Sequence, residues 1–121
     1  MELRAIYEKQ DEGIDVDFKL INTTREAKEI TFPSGQQFEM IIVDDGGEEV
    51  YRFSEGRFFT MAMTSKQLQP GEVLHWKNLW KCIDKNGKKR KEGNYKVIVK
   101  IKAMVEEVSE EELTTEIDFN L

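Results

Sequence analysis

The chain is short of the residues from which most catalytic and metal sites are built. Its 121 residues include one cysteine, Cys82, and one histidine, His75. A lone cysteine excludes an internal disulfide, and one cysteine with one histidine is too few for a structural zinc site. Neither a nucleophile-elbow motif nor a glycine-rich phosphate loop with its lysine occurs in the chain. We therefore predict a protein that is not an enzyme and holds no metal or cofactor.

The few residues that resemble a site have simpler explanations. His75 stands beside Trp76 in a predicted strand, which favours a half-exposed strand histidine over a catalytic base. Cys82 near a strand end is typical of a packing residue. Acidic residues surround a glycine turn, but their spacing does not match a calcium-binding loop, so we interpret them as a solvated hairpin tip: Asp44, Asp45, Glu48 and Glu49.

Long apolar runs and an excess of positive charge are also missing. The longest apolar run covers only Met40–Val43, far short of a bilayer-spanning helix. The net charge of −6 and the pI of about 4.9 argue against nucleic acid as a partner. Met1–Gln10 carries charged residues and no apolar core of a signal peptide. We expect a cytoplasmic protein with no membrane partner, with a piece of a longer exported protein as the alternative.

What the sequence does contain is a hydrophobic period of two. In 14–20 and 95–101 the apolar side chains alternate with charged ones, as in strands buried on one face. The same rhythm, or a shorter version of it, predicts further strands at 3–8, 29–32, 38–43, 49–53, 58–63, 73–79 and 117–121. About eight or nine short strands predict an all-β, immunoglobulin-like antiparallel β-sandwich, with 1–121 as a single domain.

Turn residues separate the predicted strands. Asp45-Gly46-Gly47 predicts a hairpin loop, and Gly93-Asn94-Tyr95 is typical of a strand whose tyrosine hydroxyl caps a neighbouring loop. Ser109 and Glu112 have capping-box spacing, which makes a helical turn in 105–113 an alternative to plain loop. Cys82–Gly93 is a loop with a basic cluster, although the protein as a whole is acidic.

Three segments resemble one known family. They are Phe32-Pro33-Ser34-Gly35-Gln36-Gln37-Phe38-Glu39, then Val50-Tyr51-Arg52-Phe53-Ser54-Glu55-Gly56-Arg57-Phe58-Phe59-Thr60, and last Leu68-Gln69-Pro70-Gly71-Glu72 to Trp80, resuming at Gly93-Asn94-Tyr95-Lys96-Val97. In this order they resemble the BsuPI-type intracellular proteinase inhibitor family of bacilli, over roughly residues 14 to 103. The S-G-Q-x-F and Y-R-F-S-x-G-x-x-F-T stretches are the more specific ones. The basic loop 85–91 departs from the family, whose loop at this place is shorter and less charged.

The resemblance implies an immunoglobulin-like sandwich that inhibits an intracellular serine protease of the subtilisin type. It identifies no contact residues. The alternative is a non-inhibitory interaction module, since one fold serves many binding functions. The oligomeric state is left open.

Two segments are candidates for contact with a protein partner. In Ser54–Ser65, apolar side chains are available for the subsites of a protease, and in the basic loop, cations are available for an acidic patch. The residues concerned are Arg57, Phe58, Phe59, Met61, Met63, Lys88, Lys89, Arg90 and Lys91. The competing interpretation of the first segment is a core strand with Phe58 turned inward, and that of the second is a solvated loop.

Overall fold

The computed structural model describes residues 1–121 and confirms the antiparallel β-sandwich. Its strands are β1 (Glu2–Gln10), β2 (Gly13–Ile21), β3 (Lys28–Phe32), β4 (Phe38–Asp44), β5 (Glu49–Arg52), β6 (Thr64–Leu68), β7 (Val73–Trp80), β8 (Asn94–Ile101), β9 (Met104–Val105) and β10 (Thr114–Asn120). One 3-10 turn, Glu111–Leu113, precedes β10. None of its helical segments is long or apolar enough to span a bilayer.

The ten strands form three antiparallel sheets. Their orders are β1-β2-β7, β10-β8-β4-β5 and the smaller β6-β3-β9. The alternation of apolar and polar side chains along β2 and β8 turns one face of each sheet inward. Contacts between aromatic rings join the first two sheets, with ring centroids 4.8 Å apart for Phe18 and Phe38 and 5.5 Å apart for Trp80 and Tyr95. The core therefore lies between these two sheets.

Several local predictions are confirmed. Asp45-Gly46-Gly47 joins β4 to β5, and the Asp44 carboxylate accepts the backbone N–H groups of Gly46 and Glu48 at 3.0 and 2.9 Å. The Tyr95 hydroxyl donates a 3.2 Å hydrogen bond to the carbonyl of Lys91. The Ser109 hydroxyl accepts the N–H of Glu112 at 3.3 Å, ahead of the 3-10 turn.

The strand predicted at 58–63 is wrong. Residues 57–63 have no regular secondary structure, and the strand of this region is the polar β6 that follows them. The turn at residues 53–56, with Gly56 at a φ of 76°, directs the chain away from β5. The chain must also cross from the sheet that contains β5 to the sheet that contains β6. The apolar run 58–63 therefore lies in the loop between two sheets. Burial of every second side chain, which favours a strand elsewhere in the chain, does not determine the conformation of this loop.

Candidate functional site

The connection between β5 and β6 exposes the largest apolar side chains of the region. We call residues Arg57–Met63 the Phe58 loop. Phe58 is 100% exposed, Met61 86% and Met63 64%, whereas Phe59 is half-buried. The interpretation of this segment as a core strand with Phe58 turned inward is therefore wrong. Apolar side chains of this size are unfavourable in water. Where several of them are exposed together, they indicate a surface that contacts another molecule.

The residues on either side of Phe58 are held against the protein. Arg57 Nε donates a 2.8 Å hydrogen bond to the carbonyl of Phe53, and its guanidinium lies 4.2 Å from the centre of the Phe53 ring. The ring of Phe59 lies 6.1 Å from the same ring, centre to centre. Phe53 in turn packs on Phe38, at 4.3 Å between ring centroids. Phe58 thus projects from between two residues that both contact Phe53.

A close backbone approach fixes the middle of the Phe58 loop. The N–H of Gly35 donates a 2.8 Å hydrogen bond to the carbonyl of Thr60. A Cβ on residue 35 would lie 2.6 Å from Thr60 Oγ1 and 3.2 Å from Thr60 N. Only glycine leaves room for this contact without a shift of the loop.

A buried carboxylate fixes the start of the turn that leads into the loop. Glu39 is almost fully buried, and its Oε1 accepts the backbone N–H groups of Ser54 and Met40, each at 3.1 Å. Its Oε2 lies 3.3 Å from Nε2 of Gln36 and 3.6 Å from Nη1 of Arg52. Donors therefore lie against both oxygens of this buried carboxylate, which burial without such partners would destabilise.

The first two segments of the sequence resemblance therefore meet in space. Gly35 and Glu39 come from the segment Phe32–Glu39, and Ser54 and Thr60 come from the segment Val50–Thr60. Sequence analysis did not identify these four residues as parts of a site. All four residues lie in segments that resemble the family, but nothing in the sequence indicated that these segments touch.

The basic loop 85–91 divides into paired and unpaired cations. Lys85 forms ion pairs with Glu49 and with Glu55, the latter at 3.7 Å. Hydrogen bonds from Arg52, which has the larger effect, and from Lys85 lower the pKa of Glu49 to about 2. Glu49 therefore stays charged across the physiological pH range, and its ion pair keeps the basic loop against β5.

Arg90 is also held by acidic neighbours. Its guanidinium nitrogens lie 3.6 Å from Asp44, 3.3 Å from Asp84 and 3.9 Å from Glu48. Three lysines of the loop are exposed and form no ion pair: Lys88, Lys89 and Lys91. Of the four basic residues predicted to meet a partner, Arg90 is thus a structural residue in this conformation, and the three lysines present their charges to solvent.

One ion pair connects the two predicted contact segments. The Lys85–Glu55 ion pair joins the basic loop to the turn that begins at Phe53, and that turn leads directly into the Phe58 loop.

Neither His75 nor Cys82 forms a catalytic arrangement. His75 lies on β7 with Nε2 2.8 Å from Oδ1 of Asp17, on the exposed side of the sheet. Cys82 is buried, and burial raises the pKa of its thiol, which keeps the sulfur protonated and unreactive at neutral pH.

Comparison with known proteins identifies a family. No curated protein matches the chain. Among solved structures, a protein from Archaeoglobus fulgidus is similar with a TM-score of 0.39 and 12% sequence identity, over 100% of this chain and 96% of that one. The family model of BsuPI, described as intracellular proteinase inhibitor, matches residues 1–106. Since this match spans most of the chain, the protein belongs to the BsuPI family of intracellular proteinase inhibitors.

Proposed function

We propose that the protein inhibits a cytoplasmic serine protease of the subtilisin type by placing the Phe58 loop in the substrate cleft. The observation that carries the proposal is a fully exposed Phe58 between two anchored neighbours. Membership of an intracellular inhibitor family supports a protease as the partner.

The backbone of the loop is available for pairing with the edge of a cleft. The N–H and C=O groups of Phe58, Phe59 and Met61 form no hydrogen bonds within the chain. An extended segment with unpaired backbone groups adds as a strand to the edge of a partner, and alternate side chains then enter pockets. Because the loop is already anchored, little conformational entropy is lost on binding.

Titration against an intracellular subtilisin-type protease tests the proposal. We expect near-stoichiometric loss of hydrolysis of a small peptide substrate, with the inhibitor intact by mass spectrometry. A triple variant, Phe58→Ala with Met61→Ala and Met63→Ala, is expected to raise the inhibition constant about a hundredfold, because it removes the apolar side chains that enter the cleft.

A matched variant separates this effect from a general loss of surface apolarity. Ile6 is 66% exposed on β1, outside the loop, so Ile6→Ala is expected to leave the inhibition constant unchanged. Unchanged hydrolysis at a large excess of the protein would contradict the proposal and favour a non-inhibitory interaction module.

The unpaired lysines are expected to accelerate encounter with an acidic surface on the protease. Replacing Lys88, Lys89 and Lys91 by glutamine should lower the association rate about tenfold at low ionic strength and change the dissociation rate little. The difference should shrink as salt is added, because screening weakens attraction between exposed charges. Stopped-flow measurements at several salt concentrations provide the rates.

The control for this prediction keeps the change in net charge and moves it elsewhere. Lys19, Lys100 and Lys102 are likewise exposed and form no ion pair, but they lie outside the basic loop. If their replacement by glutamine lowered the association rate equally, net charge alone would account for the effect, and the basic loop would have no specific role.

A further inference from the structure

We infer that Phe58 is the specificity-determining residue of the inhibitor, the side chain that fills the primary substrate pocket of the protease. The inference rests on the proposed function and selects one residue among three exposed candidates. The other two, Met61 and Met63, belong to the same loop and are also apolar.

Both neighbours of Phe58 are held by contacts with Phe53, whereas each of the two methionines has at least one neighbour, Ala62, without such a contact. Arg57 is bound to Phe53 through a hydrogen bond and through its position over the ring, and Phe59 packs on the same ring. Met61 follows the anchored Thr60, but the next residue, Ala62, is exposed and makes no hydrogen bond. Met63 has Ala62 on one side and the first residue of β6 on the other.

Fixed neighbours matter because the primary pocket demands one position of the reacting bond. A side chain whose neighbours are anchored enters the pocket at a defined depth, with the following peptide bond at a defined distance from the nucleophile. A residue without anchored neighbours would lose more conformational entropy when it is fixed in the pocket, and this loss would weaken binding.

The chemistry of the side chain points the same way. Phenylalanine presents a large rigid apolar surface and loses little rotamer freedom when it is buried in a partner. Methionine has more rotatable bonds and adapts to irregular surfaces, which suits a peripheral contact. Its full exposure gives Phe58 no competing contact within the chain that binding would break. The pocket that it fits is apolar and deep enough for an aromatic ring.

Lysine substitutions at two positions of the same loop test the inference on the full chain. Phe58→Lys is expected to raise the inhibition constant against the subtilisin-type protease about a hundredfold, because an ammonium group enters an apolar pocket. The same variant is expected to gain inhibition of trypsin, whose pocket binds lysine, in initial-rate assays. Met61→Lys is expected to change inhibition of the first protease less than about fivefold and to gain none of the second.

The outcomes distinguish the inference from the proposed function. If the unsubstituted chain inhibits and Met61→Lys is the variant that redirects it to trypsin, the inference is overturned and the proposed function stands. Equal inhibition by the unsubstituted chain and by Phe58→Lys would also overturn the inference alone. If the unsubstituted chain fails to inhibit any subtilisin-type protease, the proposed function is overturned, and the inference falls with it.

Discussion

The double variant Gly35→Ala with Glu39→Ala is expected to be cleaved as a substrate where the unsubstituted protein inhibits. The Cβ added at residue 35 would push Thr60 away, and the loss of the carboxylate would release the N–H of Ser54. Each anchor contributes roughly 1–2 kcal/mol, so together they should change the inhibition constant about a hundredfold. The measurement is residual protease activity over hours, with mass spectrometry to locate cuts in the Phe58 loop.

This result depends on the link between rigidity and resistance to cleavage. A loop that returns to its anchored conformation holds the two sides of a reacting bond together, whereas a released loop lets the products separate. Glu39→Gln keeps an oxygen that can accept the N–H of Ser54, but its amide nitrogen would face the donors of Gln36 and Arg52, so it should retain more of the inhibition than Glu39→Ala without matching the unsubstituted protein. Thr60→Ala added to Gly35→Ala removes the 2.6 Å contact between the new Cβ and Oγ1, and it should restore part of the inhibition.

A matched double variant tests whether the anchors themselves are responsible. Gly46 lies on the β4–β5 hairpin, where an added Cβ would meet only Asp44 Oδ1 at 3.4 Å, and Glu29 is exposed on β3 without an ion pair. Gly46→Ala with Glu29→Ala should inhibit like the unsubstituted protein. If the Gly35→Ala/Glu39→Ala protein stayed folded by thermal unfolding and inhibited without being cut, rigidity of the loop would not explain inhibition.

The sandwich was predictable because its strands are buried on one face. In β2 and β8 the alternation of apolar and charged residues follows directly from burial, and the glycine turns follow from φ requirements that few other residues meet. The strand β6 was missed for the opposite reason. Thr64–Gln67 is polar and exposed, so the pattern favoured the apolar run just before it.

The candidate site was predictable in part. The aromatic and methionine content of the Phe58 loop marked it as a contact segment, but the pattern favoured the alternative with Phe58 inward. What decides between them is the support from Gly35, on the bend before β4, and from Glu39, on β4 itself. Contacts between residues far apart in the chain leave no trace in local periodicity. The division of the basic loop into paired and unpaired cations was hidden in the same way.

Asn22 holds together the ends of β2 and β6, and its replacement by leucine is expected to destabilise the fold strongly. The side chain is 1% exposed, and its Nδ2 donates hydrogen bonds to the carbonyls of Glu26 at 2.9 Å and Leu68 at 2.8 Å. Leucine has a similar size and would leave both carbonyls without this donor. The free energy of unfolding should fall by about 3 kcal/mol, measured by urea denaturation.

Asn22→Asp separates the loss of hydrogen bonds from a change of shape. The acceptor role of Oδ1 towards the N–H and hydroxyl of Thr24, at 3.0 and 2.6 Å, would survive in aspartate. A carboxylate oxygen would, however, face the carbonyls of Glu26 and Leu68, and repulsion would replace two hydrogen bonds. Aspartate should therefore destabilise at least as much as leucine. A loss below about 0.5 kcal/mol, the value expected for Asn120→Ala in the exposed Asn120–Asn94 pair, would contradict the role assigned to the Asn22 amide.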